Sequence, residues 1–234
     1  PADSIIVGNF VGTQALAAVG ATGAFVNLLV GLFVGLCSGV GVVVSQSFGA
    51  RDYDGVDRQV HTALVFSVVI GAVLTLAGLV TTQPMMRLMG TPDEILDTST
   101  LYLRIYFLGM IPQILYNTGT YILRAIGDSK RPLYFLIASC GANILLDLLF
   151  VLVFRLEVVG VAIATVLSQV FSAVLVLMTL IRSTEAYQLV LKRVRFHKEA
   201  LKQIIRIGLP AGFQSAMYNI SNVIIQSSIN SFGT

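Results

Sequence analysis

A single acid interrupts an otherwise uncharged apolar run. Asp147 is the one charged residue between Leu133 and Phe154, and a carboxylate at the centre of a membrane helix costs about 3 kcal/mol on insertion scales. Intramembrane acids therefore usually face a bundle interior or water. Because burial disfavours the charged form, Asp147 would take up and release protons. Alternatively, it stays ionised and binds Na⁺.

Asn143 precedes Asp147 by four residues, so on a helix both side chains share one face. A carboxylate and a carboxamide provide hard oxygen ligands, which suit a monovalent cation or a shared proton better than a transition metal. The alternative is an Asn and Asp pair that only hydrogen-bonds a neighbouring helix.

Two further candidates are less specific. Asp3 precedes the apolar residues Ile5 to Val7 and would serve either as a second ion-binding acid or as an interfacial residue. Thr165 lies in another apolar run, where membrane helices commonly bond such hydroxyls back to a backbone carbonyl.

Polar residues recur at helical spacing in two other apolar runs. Such faces predict either the wall of a wet substrate cavity or hydrogen bonds between helices. The proposed cavity residues are Gln113, Asn117, Gln214, Tyr218, Asn222 and Gln226, and Thr120 continues the face of the first two.

The composition indicates which elements hold these residues. Hydrophobic residues make up 56% of the chain and charged residues 12%, against roughly 25% charged in ordinary globular domains. The apolar runs are long enough to cross a bilayer, which takes about 20 residues as helix. Helices satisfy their own backbone groups in hydrocarbon, so we predict an all-α integral membrane protein, a polytopic helical bundle.

The predicted spans follow the uncharged runs, with a turn placed near Gly12 to divide the longest run. They cover residues 1–11 (the tail of a first helix), 16–46, 60–83, 98–123, 133–154, 159–182 and 206–232. Both ends of the chain look cut. The predicted organisation is a lobe at 1–181, a linker with an amphipathic helix at 182–205, and the first helix of a second lobe at 206–234.

The basic residues predict the orientation. Twelve of the fifteen Lys and Arg residues fall in alternate loops on one side of the predicted spans, and seven of these lie between Arg182 and Arg206. Cytoplasmic loops hold such an excess, so loop 182–205 is expected to be cytoplasmic in a multi-pass protein of the cell membrane. The net charge of +3 is thus explained by topology, and no nucleic-acid partner is expected.

Small residues in the second span predict close helix packing. Gly31, Gly35 and Gly39 recur every four residues and leave one face open to another backbone. Cys37 and Cys140 have no metal-ligand spacing and are expected to be buried packing residues.

Several motifs together resemble multidrug and toxic compound extrusion (MATE) transporters. Asp3-Ser4-Ile5-Ile6-Val7-Gly8 with Ala15-Leu16-Ala17-Ala18-Val19-Gly20 is similar to the opening of that family. The later matches are Ser45-Gln46-Ser47-Phe48-Gly49-Ala50-Arg51, Leu123-Arg124-Ala125-Ile126-Gly127-Asp128-Ser129 with Pro132, and Gly208-Leu209-Pro210. Ala125 and Ser129 stand where the family commonly has Gly and Thr.

The resemblance implies a twelve-helix, two-lobed transporter, of which this chain would supply about six and a half helices. It also implies one ion-coupling site, formed by Asp3, Asn143, Asp147 and Thr165, with H⁺ or Na⁺ as coupling ion and Na⁺ held by the first three. The implied activity is antiport, exporting drugs or organic cations by alternating access. No cofactor is expected, and the partners would be a small organic substrate, the bilayer and the missing C-terminal lobe.

Two other functions are alternatives to transport of drugs. A flippase for lipid-linked precursors would need basic cavity residues for pyrophosphate, whereas Arg104, at a helix edge, is the only notable base in a predicted span. An intramembrane enzyme would need a nucleophile with its base or a metal set. His197 lies outside the predicted spans and His61 precedes the uncharged run that begins at residue 62. His61 is therefore expected at a loop edge, and we do not expect an enzyme.

Overall fold

The computed structural model describes residues 13–88, 93–190 and 195–231, and these are predominantly helical, with no β-strand among them. The elements are α1 (Thr13–Gly49), α2 (Tyr53–Leu88), α3 (Asp93–Leu108), α4 (Met110–Ala125), α5 (Lys130–Leu148), a π-helical turn (Leu149–Val153), α6 (Glu157–Arg182) and α7 (Lys198–Ser231). The all-helical prediction is confirmed, while the first predicted span lies outside the described residues.

Four of the described helices are long and apolar enough to cross a membrane, judged by length and composition. They are Val30–Gly49 of α1, α2, Lys130–Val153 (α5 with the π turn) and α6. The prediction of a multi-pass helical membrane fold therefore agrees with the elements that the structure contains.

The predicted span 98–123 is divided between α3 and α4, and Gly109 separates them. Pro112 explains the break, because it lacks an N–H group and its ring crowds the carbonyl of Leu108, four residues earlier. The Gly109 amide instead donates to Tyr106 O at 3.0 Å, three residues back. The apolar pattern predicted one continuous helix here, whereas Pro112 divides it at a turn that is tighter than an α-helical turn.

The turn after α4 has the geometry expected from its glycine. Gly127 has a φ of +91°, its N–H donates to Arg124 O, and the Asp128 N–H donates to Leu123 O. This is the Schellman arrangement that ends many helices. Asp128 Oδ1 then accepts the Arg131 N–H at 3.1 Å, which joins this turn to the beginning of α5.

The linker is shorter than predicted, since α6 ends at Arg182 and α7 begins at Lys198. The amphipathic stretch around Leu201 and Ile204 is the start of α7 and not a separate helix. Ile204 is fully buried in the apolar core shared by several helices. This stretch therefore packs against the bundle, because its apolar face has a protein partner.

Glycines bring α1 and α7 into direct backbone contact, as the small-residue spacing predicted. A Cβ atom added to Gly39 would lie 2.5 Å from Gly208 Cα, and one added to Gly212 would lie 2.6 Å from Leu32 O. A Cβ on Gly35 would overlap the backbone of Gly212. Glycine at these positions allows the approach, which van der Waals packing then stabilises.

Of the two cysteines expected to be buried, Cys37 is buried, but the expectation for Cys140 is wrong. Cys140 is exposed because it lies on the side of α5 that faces away from the other described helices.

The expectation that His61 lies at a loop edge is wrong. It is 1% exposed, within α2, and its Nδ1 lies 2.8 Å from Asp57 O. The Val190 N–H donates to Nε2 at 3.2 Å, which fits the tautomer with hydrogen on Nδ1. The His197 N–H likewise donates to Thr62 Oγ1 at 3.2 Å, so α2 binds the linker at two places.

Replacing His61 by Leu should loosen the linker, because the Val190 N–H would lose its acceptor and a buried unsatisfied group costs about 1–3 kcal/mol. In native-state hydrogen exchange of the full-length protein, the Val190 amide should exchange roughly 10- to 100-fold faster. His197→Ala is the matched control, since it removes a ring whose Nδ1 lies 3.5 Å from Thr62 Oγ1 but keeps the backbone N–H bond to Thr62 and the acceptor of the Val190 N–H. Equal exchange at Val190 in both variants would contradict this role for the His61 ring.

Candidate functional site

Asp147 is 0% exposed and lies in the last turn of α5. The buried residues of that helix are Pro132, Ser139 and Asp147, at spacings of seven and eight residues that place them on one face. Asn143 is half-buried on the same face. The structure therefore keeps the predicted carboxylate and carboxamide together on the inward side of an otherwise largely exposed helix.

A π-helical turn, Leu149–Val153, follows directly after the helix that carries Asp147. The Phe154 N–H donates to Leu149 O at 3.2 Å, five residues back, so the turn holds one more residue than an α-helical turn. Such turns occur often at functional sites. Here the wider turn changes the register of the chain between Asp147 and the loop to α6.

The loop from the π turn to α6 adopts a backbone that side-chain-bearing residues rarely take. Arg155 has a φ of 53° and Glu157 a φ of 47°, in the left-handed region that costs about 1–2 kcal/mol for L-residues. Strain of this kind collects at functional sites and persists only where the surrounding fold enforces it. In this chain, the two residues with positive φ lie eight and ten residues after Asp147 in the sequence.

Two hydroxyl groups of α6, those of Thr165 and Ser172, bear on the candidate site. Thr165 Oγ1 donates to Val161 O at 2.9 Å, which is the bond to a backbone carbonyl that was predicted as the alternative to a role in ion binding. Farther along, Ser172 Oγ bonds Ser139 Oγ at 2.5 Å. This buried bond joins α6 to the inward face of α5, the face that also carries Asp147.

Gln113 is the centre of a polar network that joins three helices. Its Oε1 lies 3.4 Å from Gln169 Nε2 on α6 and 3.4 Å from Tyr106 OH on α3. Its backbone oxygen accepts from Asn117 Nδ2 at 2.9 Å. Of the two predictions for this polar face, a wet cavity wall or hydrogen bonds between helices, Gln113 makes the hydrogen bonds between helices.

Gln113 and Asn117 also border a gap against α1, with Phe33 and Cys37 on the opposite side. Its volume of about 10 Å³ admits at most a single water, whereas drug-sized ligands occupy roughly 300–1,000 Å³. A substrate cavity on this face therefore needs a wall beyond the elements that border the gap, or a movement of α1.

The second predicted polar face lies on α7, and its described side chains point away from the packed bundle. Gln214 is exposed and Tyr218 is 69% exposed, while Asn222 and Gln226 follow on the same helix with side chains outside the described residues. Of the described side chains on this face, neither Gln214 nor Tyr218 packs toward Gln113 and Asn117. The glycine face of α7, on its other side, is the one that contacts α1.

The remaining predicted features are Asp3 and a group of residues that could hold a metal ion. Asp3 lies outside the described residues, so its distance from Asp147 is not part of this geometry. Among the described side chains, no group of three or more His, Cys, Asp or Glu could hold a metal ion.

The sequence-based predictions missed several polar residues. Tyr106, Gln169 and the pair Ser139 and Ser172 all make bonds between helices. The spacing of Thr165, Gln169 and Ser172, at intervals of four and three residues, was the pattern that could have revealed a polar face on α6.

The fold and the site define a class of protein: a multi-pass helical membrane protein with a fully buried carboxylate on the inward face of one helix. Comparison with known families narrows this class. The MatE family model matches residues 2–149, and the chain belongs to that family.

Individual relatives agree with this assignment. The chain is 34% identical over 236 residues to YoeA, a probable multidrug resistance protein of Bacillus subtilis, covering 97% of this chain and 51% of that protein. A multidrug resistance MATE family transporter of the MOP superfamily matches in its outward-facing conformation with a TM-score of 0.89 and 30% identity, over 97% of this chain and 50% of the other. An inward-facing conformation matches with a TM-score of 0.86, at 30% identity over 94% and 50%. The chain thus spans about half the length of the curated relatives it matches.

Proposed function

We propose that this chain forms the N-terminal lobe and the first helix of the second lobe of a cation-coupled exporter of drugs or organic cations. The observation that carries the proposal is the complete burial of Asp147 in an apolar helix, since intramembrane acids usually bind ions or protons. The names of the relatives, which are multidrug resistance proteins, support the substrate class.

In this proposal, H⁺ or Na⁺ binds at Asp147 together with Asn143, Thr165 and Asp3. A cation can drive a conformational change only if it binds one state more tightly than the other. Binding at Asp147 would supply that difference, because neutralising the carboxylate lowers the cost of closing helices around it. Substrate would leave outward from a cavity walled by the polar faces of α4 and α7 and by the second lobe.

The membrane orientation belongs to the same proposal. The basic excess in loop 182–205 favours a cytoplasmic position for that loop, in a protein of the cell membrane. The exposed face of α7, with Gln214 and Tyr218, would then meet the second lobe and line the substrate cavity, whereas its glycine face holds it to the first lobe. No step in this scheme requires a cofactor or enzymatic chemistry.

The proposal is tested with the full-length protein in sealed vesicles loaded with a fluorescent organic cation. Movement of the dye should follow an imposed H⁺ gradient or an imposed Na⁺ gradient, and vesicles without protein give the baseline. If neither gradient moves the dye while the vesicles translocate a pyrophosphate-linked lipid, the flippase alternative replaces export of organic cations.

A further inference from the structure

A second cavity, of about 470 Å³, lies at one end of the bundle. None of the residues that line it belongs to α5, the helix that carries Asp147. Its walls come from the end of α1, the first turns of α2 and the beginning of α7. Since α1 and α2 both belong to the membrane-crossing set and meet here, the cavity lies where helices leave the apolar layer. This is the level of lipid headgroups.

A buried amide oxygen at this cavity lacks a partner. Gln59 is 5% exposed, and its Nε2 donates to Ser47 Oγ at 2.7 Å, while its Oε1 has no hydrogen-bond partner among the described residues. A buried acceptor without a donor costs about 1–3 kcal/mol. A ligand that supplies an N–H or O–H group at this wall would remove that cost.

The cavity also presents charges of both signs. Arg58 and Lys198 are its basic residues, Asp52 and Glu199 its acidic ones, and none of the four forms a side-chain ion pair with another described residue. The amides of Lys198, Glu199 and Ala200, in the first turn of α7, have no acceptor one turn back in the helix, and they lie at the positive end of the helix dipole. Anionic and cationic groups of one ligand would therefore both find partners.

We propose that this cavity binds a phosphoryl group with a neighbouring ammonium, as in phosphoethanolamine, either free or as the headgroup of a phospholipid. The phosphoryl oxygens would lie against Lys198, Arg58 and the amides of α7. The ammonium would donate to Gln59 Oε1 and approach Glu199 and Asp52. Phe196, 49% exposed beside the cavity, offers apolar contact to the glycerol end of a lipid.

The test measures binding to the purified full-length protein in detergent by native mass spectrometry, without reference to transport. Phosphatidylethanolamine should bind more tightly than phosphatidylglycerol, which lacks the ammonium, and than phosphatidylcholine, whose methylated nitrogen cannot donate to Gln59. Lys198→Ala and Glu199→Gln should each weaken binding about tenfold, the size of one charge-assisted hydrogen bond. Lys202→Ala, an exposed base one turn along α7 and outside the cavity, should leave it unchanged.

Soluble phosphoethanolamine separates the two sources of the ligand. Displacement of the lipid by phosphoethanolamine, with the same sensitivity to Lys198→Ala, supports headgroup recognition, and binding of the lipid alone supports a lipid ligand that also needs its glycerol end. Equal binding of the three lipids, or equal effects of Lys198→Ala and Lys202→Ala, would overturn the proposal.

Discussion

Full-length protein carrying Asp147→Asn should lose most of its ion-driven efflux, with the dependence on the coupling ion reduced by about 10- to 100-fold. The physical reason is the loss of the charged oxygen, because hydrogen bonds and contacts to a charged group contribute about 1.5–3 kcal/mol, which corresponds to that factor in ion affinity. Asparagine preserves the size of the side chain, which matters at a residue that is 0% exposed. Dye efflux from sealed vesicles, at a series of ion concentrations, measures the effect.

Asp97→Asn is the control for this experiment, since it makes the same chemical change at an exposed residue of α3. If efflux by the Asp147→Asn variant depends on the ion as strongly as efflux by the Asp97→Asn variant, Asp147 does not belong to the coupling site.

The Thr165→Val variant distinguishes between the two coupling ions in the same efflux measurement. It should weaken Na⁺-driven efflux, which uses hydroxyl lone pairs, and leave H⁺-driven efflux nearly unchanged.

The second large effect is expected at the contact between α1 and α7. Gly35→Leu should lower the stability of the full-length protein by at least about 3 kcal/mol, the upper range for overpacking, because its first side-chain carbon already overlaps the Gly212 backbone. The two helices would have to separate, and the backbone contacts on both sides of Gly35 would open with them. Thermal unfolding in detergent gives the measurement.

Gly141→Leu is the matched control, since a Cβ atom at Gly141 meets nothing within 4 Å and the residue is exposed on α5. Its unfolding temperature should stay close to that of the unsubstituted protein or rise slightly, because leucine favours helix over glycine. Similar unfolding temperatures for Gly35→Leu and Gly141→Leu would show that the α1 and α7 contact adds little to stability.

Much of the helical architecture follows from the sequence, because in a membrane the apolar run and the helix nearly coincide. Two features are visible in short stretches of sequence and were therefore predictable. They are the acid Asp147 within an apolar run and the close helix packing indicated by the four-residue spacing of Gly31, Gly35 and Gly39. The division at Gly109 was predictable too, since Pro112 marks it, but a hydropathy pattern does not register the loss of one N–H group.

The remaining differences arise from contacts between residues that are distant in sequence. His61 was placed at a loop edge because it follows a charged segment, whereas its burial depends on the linker residue Val190, which returns to α2. The bond between Gln113 and Gln169 likewise depends on how α4 and α6 are rotated toward each other. Polar spacing along one helix predicts that a face exists and cannot specify which helix lies opposite.

The glycine contact also bears on how the protein is made. Residues near Gly35 leave the ribosome well before those near Gly212, with α2 through α6 synthesised between them. At about 5–20 residues per second, the glycine face of α1 waits on the order of ten seconds or more before α7 arrives. During biogenesis, lipid chains or an insertion factor must cover that face, and the last helix to join then displaces them.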